Sequence, residues 1–118
     1  MKRFLVLPTI ALFAFLLSCK GGEDNVQVPE GIIPPDSLVY VLTDFHLAEA
    51  ALAENKVLQQ NTEQYSSLYY ALLFKKHNIT RTQFDESMEF YSAHPKLYRE
   101  TYDKVLEELS RLQAEAMQ

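Results

Sequence analysis

The chain has 118 residues, of which sixteen are acidic and eleven basic, giving a formal net charge of −5. A chain this acidic lacks the basic surface that nucleic-acid binding needs, so we expect no nucleic-acid partner. Its single cysteine excludes a disulfide within the chain.

The first eighteen residues have the pattern of a secretory signal peptide. Lys2 and Arg3 precede an apolar run, Phe4 to Leu17, which is shorter than the roughly twenty residues of a membrane-spanning helix. The run ends in Leu16-Leu17-Ser18-Cys19, which resembles a bacterial lipobox. We therefore predict cleavage of residues 1–18 and acylation of Cys19, because a cysteine sulfur is the nucleophile that accepts the lipid.

The residues behind Cys19 indicate where the anchored chain is retained. In enteric lipoproteins, an aspartate directly after the acylated cysteine favours retention in the inner membrane. This chain has Lys20 at that position, which favours the outer membrane. Glu23 and Asp24 resemble the acidic surface-export signals of some Gram-negative lineages, and the periplasmic or surface side stays open. After removal of residues 1–18, the chain keeps nine basic and sixteen acidic residues, so its formal charge is −7.

Residues 19–35 have the composition of a flexible tether. They hold all three glycines and three of the five prolines, and they show no helical periodicity. We expect Ile32 and Ile33, at the end of this tether, to pack on the domain that follows. Residues 36–118 contain no glycine, one proline and no strand-length alternation, which predicts a single all-α domain of four helices.

The first two predicted helices each carry an apolar stripe. The first begins near Asp36 or Ser37, and the second begins at Asn61 or Thr62 and ends at His77, with Asn78 as a left-handed closing residue. The stripe of the first is Leu38, Val41, Leu42, Phe45, Ala48 and Leu52, and that of the second is Tyr65, Leu68, Tyr69, Leu72 and Leu73.

A tight corner is predicted between the second and third helices. Thr80 has the position of an N-cap, and Gln83 stands three residues later, as a capping box requires. Ile79 and Phe84 have the spacing of a hydrophobic staple around that cap. The third helix ends before Pro95, which suits the first position of a fourth helix running towards Ala116.

The chemistry-bearing residues do not form a recognisable catalytic or metal-binding pattern. His46 and Glu49 have the spacing of a histidine–carboxylate ligand pair, but no second pair occurs, so we predict a half-buried hydrogen-bonded pair. The serines lack a glycine-flanked elbow, and there is no glycine-rich phosphate loop. We therefore expect no metal, no cofactor and no enzymatic activity.

Tyrosines are the unusual feature, because all seven lie between residues 40 and 102. Most are expected to be core residues with solvated hydroxyl groups. Of the adjacent pair Tyr69 and Tyr70, the spacing keeps Tyr69 with the stripe of the second helix and turns Tyr70 away from it. An exposed tyrosine is a common interface anchor, so Tyr70, with His46 and Glu49, is the predicted partner face.

Several short motifs together resemble a known family. They are His46-Leu-Ala-Glu-Ala50, Phe84-x-x-Ser87-x-x-x-Tyr91, His94-Pro95 and Tyr98-x-x-x-Tyr102-Asp-Lys-Val-Leu106. The pattern, from about Ile33 to Leu109, resembles the domain-of-unknown-function family number 4296, short lipoproteins of Bacteroidota-type bacteria. The resemblance implies a helical lipoprotein of a Gram-negative envelope and transfers no catalytic residue.

Two functions follow as hypotheses for a lipid-anchored helical domain. The first is an accessory or scaffold subunit that binds another protein of an envelope assembly. The alternative is a chaperone-like module that holds unfolded envelope proteins, by loose analogy with the helical arms of envelope chaperones.

Overall fold

The computed structural model describes residues 25–58 and 61–118, with the side chain of Val57 left aside. Within these ranges the chain forms four helices and no strand, which confirms the all-α prediction. The helices are α1 (Pro35–Val57), α2 (Thr62–His77), α3 (Arg81–Ser92) and α4 (Pro95–Ala116). The predicted signal peptide and Cys19 lie outside the described residues.

Local side-chain chemistry sets the helix boundaries. The Asn61 side chain accepts a hydrogen bond from the Gln64 amide at the start of α2, and Asn78 closes α2 with a φ of 52°. Thr80 Oγ1 accepts from the Gln83 amide at 3.0 Å, which confirms Thr80 as the cap of α3. Pro95 begins α4, as predicted.

Helix α1 is central to the domain, because it packs along both α2 and α4, while α3 packs on α4. Its core side chains are Leu38, Val39, Val41 and Leu42, and they meet Leu73, Phe84, Tyr91 and Val105 from the other three helices. The prediction that the α1 stripe is buried is therefore confirmed for Leu38, Val41, Leu42 and Leu52.

The segment before α1 is part of the same core. Gly31, at a φ of 88°, lies in a turn in which the Ile32 amide donates to the Pro29 carbonyl, and the chain then directs Ile33 inwards. Ile33 is 2% exposed, and its amide donates to Ser87 Oγ at 2.9 Å. Packed structure thus begins before residue 36, the predicted start of the helical domain. The expected packing of Ile33 on the domain is confirmed.

The apolar stripe predicted for α2 is wrong in part. Leu73 is buried and Tyr69 half-buried, but Tyr65, Leu68 and Leu72 are exposed. The reason is that α2 is apolar on more than one side. Phe74 and Leu73 take the core positions, so the stripe that continues through Leu68 and Leu72 lies on the outside.

Candidate functional site

The predicted partner-face residues, His46 and Glu49 on α1 and Tyr70 on α2, each make a hydrogen bond to another helix of the domain. Tyr70 donates its hydroxyl hydrogen to Glu49, and its ring stacks on Phe45 with centroids 5.6 Å apart. His46 is joined by a hydrogen bond to the hydroxyl of Tyr102 on α4. The predicted His46–Glu49 pair is therefore replaced by two tyrosine contacts.

Tyr70 leaves the side of α2 that carries Leu68 and Leu72, as predicted, but it is half-buried on the packed side of the helix rather than exposed. Its ring lies in an aromatic cluster with Phe45, Phe74 and Phe84, beside Arg81. The hydrogen bond to Glu49, together with partial burial, raises the pKa of Tyr70 above its ordinary value. These contacts position the ring as a brace between α1 and α2.

A second polar cluster joins the other end of the α1–α2 hairpin. Asp44 accepts a hydrogen bond from His77 Nε2 at 2.6 Å and pairs with Lys76 Nζ at 2.7 Å. Partial burial pushes the pKa of Asp44 upwards, but the bonds and positive charge supplied by Lys76 and His77 outweigh it, so the pKa is lowered. This cluster fixes the antiparallel register of the hairpin.

Five serine and threonine hydroxyl groups bond within their own helices. Each donates to the carbonyl four residues earlier on its own helix: Thr43 to Val39, Ser87 to Gln83, Ser92 to Met88, Thr101 to Leu97 and Ser110 to Leu106. In the part of the chain that the structure describes, no three His, Cys, Asp or Glu side chains converge as metal ligands.

Two shallow grooves flank the exposed ring of Tyr40 between α1 and α4. One, of about 560 Å³, is bordered by charged groups that include Asp36, Lys104 and Arg111. The other, of about 400 Å³, reaches the Asp44–His77 pair and Leu112. Charged side chains are the majority of the residues that line the larger groove, and Asp44, Lys76 and Glu108 line the smaller one.

The outer side of the α1–α2 hairpin is different, because it is apolar. A groove of about 280 Å³ runs between the helices, with Leu47, Ala51 and Leu72 among the residues that line it. Leu68 lies one turn before Leu72 and Tyr65 one turn before Leu68. We call this surface the hairpin face and define it by five residues, Leu47, Ala51, Tyr65, Leu68 and Leu72.

Three of the hairpin-face residues are leucines that a monomer leaves in water, with Leu68 and Leu72 each 53% exposed. Single exposed leucines are ordinary, whereas apolar side chains grouped on two adjacent helices are less common on the surface of a monomer. The sequence prediction missed this face because its α2 residues were assigned to the core. The usable signal was that α2 carries apolar residues around most of its circumference.

Comparison with known proteins places the chain in a family. A family model described as "Domain of unknown function (DUF4296)" matches residues 29–115. The chain belongs to the DUF4296 family. This confirms the resemblance drawn from the motifs, and the matched region begins four residues before the buried Ile33. No curated protein and no solved structure matches the chain.

The motif residues of the DUF4296 resemblance now have structural roles. Ser87 accepts from the Ile33 amide, and the Tyr91 hydroxyl donates to the Ile33 carbonyl at 2.8 Å. His94 Nδ1 donates to the carbonyl of Phe90 at 2.7 Å, at the end of α3. The motifs therefore hold the helices and the entering segment together, and of the hairpin-face residues only Leu47 belongs to a motif.

Proposed function

We propose that this DUF4296 protein is a lipid-anchored envelope protein that works by binding another protein chain, as an accessory or scaffold subunit without catalytic activity. The observation that carries the proposal is the hairpin face, where Leu47, Leu68 and Leu72 are exposed side by side across two helices. Protein interfaces of specific complexes have such an apolar centre with a polar rim. Here Asp44 and Lys76 supply polar groups at one end of the groove.

The membrane anchor in this proposal comes from the sequence around Cys19. The lipobox-like Leu16-Leu17-Ser18-Cys19 supports acylation, and Lys20 supports retention at the outer membrane. No helix in residues 25–58 or 61–118 is long and apolar enough to cross a bilayer. Attachment through two or more acyl chains is strong enough to hold a protein stably.

Intact-mass measurement of the protein extracted from membranes tests the anchor. We expect a chain that begins at Cys19 and carries added acyl mass. The variant Cys19→Ala should keep its leader and carry no lipid. A wild-type mass without acyl groups would overturn the anchor while leaving the binding proposal open to its own test.

Affinity purification of the full-length chain from detergent-solubilised membranes tests the binding role. We compare wild type with Leu72→Glu on the hairpin face and with Leu106→Glu on α4, because both leucines are 53% exposed. The wild type and Leu106→Glu should recover one protein in stoichiometric amount, and Leu72→Glu should lose it. Equal recovery by all three chains would contradict the proposal.

The same purification separates the scaffold from the chaperone-like alternative. An apolar groove can also hold unfolded segments, so the hairpin face alone is compatible with both functions. Recovery of many unrelated envelope proteins, increased by heat stress and lost in Leu72→Glu, would favour the chaperone-like module. One stoichiometric partner, unchanged by stress, would favour the scaffold.

A further inference from the structure

We propose that Ser87 and Tyr91 form a peptide-binding slot on α3, and that Ile33 of the chain's own entering segment occupies this slot as an exchangeable ligand. We call the pair of hydroxyl-bearing side chains the peptide slot, and we define the entering segment as residues 29–33. The inference goes beyond the proposed function, because the peptide slot lies on α3 whereas the hairpin face lies on α1 and α2.

The peptide slot contacts both polar backbone groups of a single residue. Ser87 Oγ accepts a hydrogen bond from the Ile33 amide at 2.9 Å, and the Tyr91 hydroxyl donates to the Ile33 carbonyl at 2.8 Å. Ser87 and Tyr91 stand four residues apart on α3, so their side chains lie on the same face of the helix. One acceptor and one donor on that face therefore match the amide and the carbonyl of one bound residue.

Both hydroxyl groups are oriented for this contact. Ser87 donates its own hydrogen to the Gln83 carbonyl at 2.7 Å, so its oxygen is left to accept from the bound amide. Ser87 and Tyr91 are fully buried. Buried backbone groups need hydrogen-bond partners, and those of Ile33 receive them from side chains of a distant helix rather than from secondary structure. Helix α3 thus carries a matched pair of partners for a peptide group that belongs to no helix.

Position 33 also defines the class of ligand that fits the peptide slot. Ile33 is buried in the hydrophobic core, so the bound residue has a branched aliphatic side chain. Because Pro34 follows, the residue in the slot is restricted to an extended conformation. Ser87 accepts an N–H, which excludes proline or an N-methylated residue from the slot. The ligand is therefore an extended peptide segment with one branched aliphatic residue that has a free amide hydrogen.

The entering segment can leave the peptide slot while the four helices stay formed. Residues 29–33 precede the N-cap of α1, where the Pro34 carbonyl accepts from the Leu38 amide. The segment's own turn, with the Ile32 amide donating to the Pro29 carbonyl, is local and moves with it. One side chain and two hydrogen bonds are a small contact, and such contacts open locally more often than a whole domain unfolds. A competing peptide binds this open minor state.

Covalent connection decides which peptides can compete for the peptide slot. A ligand on the same chain has an effective concentration in the millimolar range, so a free segment of equal affinity displaces it poorly. A segment of a protein that is already held nearby has a similar advantage and competes on equal terms. The peptide slot is thus closed to stray peptides and open to an extended aliphatic segment of a docked partner.

Amide hydrogen exchange of the full-length protein in detergent, measured by nuclear magnetic resonance, tests the local opening. Val105 is fully buried within α4 and reports unfolding of the core. We expect the Ile33 amide to exchange about 100-fold faster than the Val105 amide after correction for intrinsic rates, because the segment opens without global unfolding. Equal corrected rates would show that Ile33 leaves only when the whole domain unfolds, and the exchangeable ligand would be wrong.

Binding of a fluorescent peptide with the sequence of residues 28–35 tests the peptide slot directly. The full-length variant Ile33→Asp should vacate the slot, because a carboxylate is costly to bury there. We expect saturable binding to Ile33→Asp and about tenfold weaker binding to the wild-type chain, whose own segment competes. The matched control peptide carries a methyl group on the amide nitrogen at position 33. It should bind about tenfold more weakly, because Ser87 then has no hydrogen to accept.

A change on the protein side completes the test. Adding Tyr91→Phe to Ile33→Asp removes the donor to the bound carbonyl and should also weaken the peptide about tenfold. Circular dichroism checks that each variant keeps its helices, and Ile33→Ala takes the place of Ile33→Asp if the latter is unfolded. Equal binding of the methylated peptide, or no saturable binding to a folded Ile33 variant, would overturn the peptide slot. Neither result affects the hairpin face, which Leu72→Glu tests separately.

Discussion

Tyr91 joins three parts of the molecule at one buried side chain. It is fully buried on α3, its hydroxyl donates to the Ile33 carbonyl at 2.8 Å, and its ring meets Phe90 and Tyr98. Burial, with a smaller contribution from the charge of Asp36, raises the pKa of Tyr91 to about 12. The phenol therefore keeps its proton in the folded protein at a pH where an exposed tyrosine has lost it.

Replacing Tyr91 by Phe should lower the free energy of unfolding by about 1–2 kcal/mol at neutral pH, because the Ile33 carbonyl loses its buried donor. Between about pH 10 and pH 12 the unfolded wild-type chain ionises at this position while the folded chain does not. Wild-type stability should therefore fall as the pH rises through this window, and Tyr91→Phe should lose this part of the pH dependence.

Chemical denaturation at pH 7 and along an alkaline series measures both effects. The exposed Tyr40 provides the control, and Tyr40→Phe should stay within about 0.5 kcal/mol of wild-type stability at pH 7. Tyr70 and Tyr102, whose pKa values are also raised, supply the alkaline dependence that remains in Tyr91→Phe. Identical curves for wild type and Tyr91→Phe would mean that the Tyr91 contact does not stabilise the fold.

Individual polar contacts of the candidate site were the hardest feature to predict from sequence. His46 and Glu49 stand three residues apart, which predicts a local pair, yet their partners are Tyr102 and Tyr70. Those partners are 56 and 21 residues away along the chain. A helix spacing reports which side chains share a face, but the groups opposite that face depend on how whole helices pack.

Helix ends, in contrast, were predictable because their chemistry is local. The caps at Asn61 and Thr80, the left-handed Asn78 and the first-turn Pro95 each depend on a few neighbouring residues.

The faces of α2 were only partly predictable. Apolar side chains surround most of this helix, so only packing against α1 and α3 decides that Leu73 is buried and Leu72 is not.

The corner between α2 and α3 gives a prediction at this scale. Thr80→Ala should lower the free energy of unfolding by about 1 kcal/mol, because the Gln83 amide loses the side-chain acceptor of the N-cap. Thr82→Ala, in the first turn of the same helix and exposed, should leave stability within about 0.5 kcal/mol of wild type. Thermal or urea denaturation of both variants measures the difference, and equal stabilities would refute the cap's contribution.

At the scale of the whole molecule, the folded unit includes residues that have the composition of a tether. Ile33 is buried in the core, and both its amide and its carbonyl bond to α3, through Ser87 and Tyr91. The DUF4296 match, which begins at residue 29, also includes this segment. Composition could not predict this boundary, because proline and glycine mark a segment without a helix but not one without contacts.

Truncation of the chain tests where the folded unit begins. A chain that starts at Asn25 keeps Ile33 and its two hydrogen bonds, whereas one that starts at Asp36 lacks them. Burial of an isoleucine side chain contributes about 1.5–3 kcal/mol, and the lost bonds add to this. We therefore expect the shorter chain to be less stable by about 3 kcal/mol.

Urea denaturation followed by circular dichroism measures the difference between the two truncated chains, with the full-length protein as reference. The chain from Asn25 should stay close to the reference midpoint, because it keeps Ile33 and both of its hydrogen bonds to α3. In the chain from Asp36, α3 loses the segment that joins Ser87 and Tyr91 to the start of α1, so its helical signal should disappear at a lower urea concentration. Equal midpoints would place the start of the folded unit at α1 and reduce Ile33 to a peripheral contact.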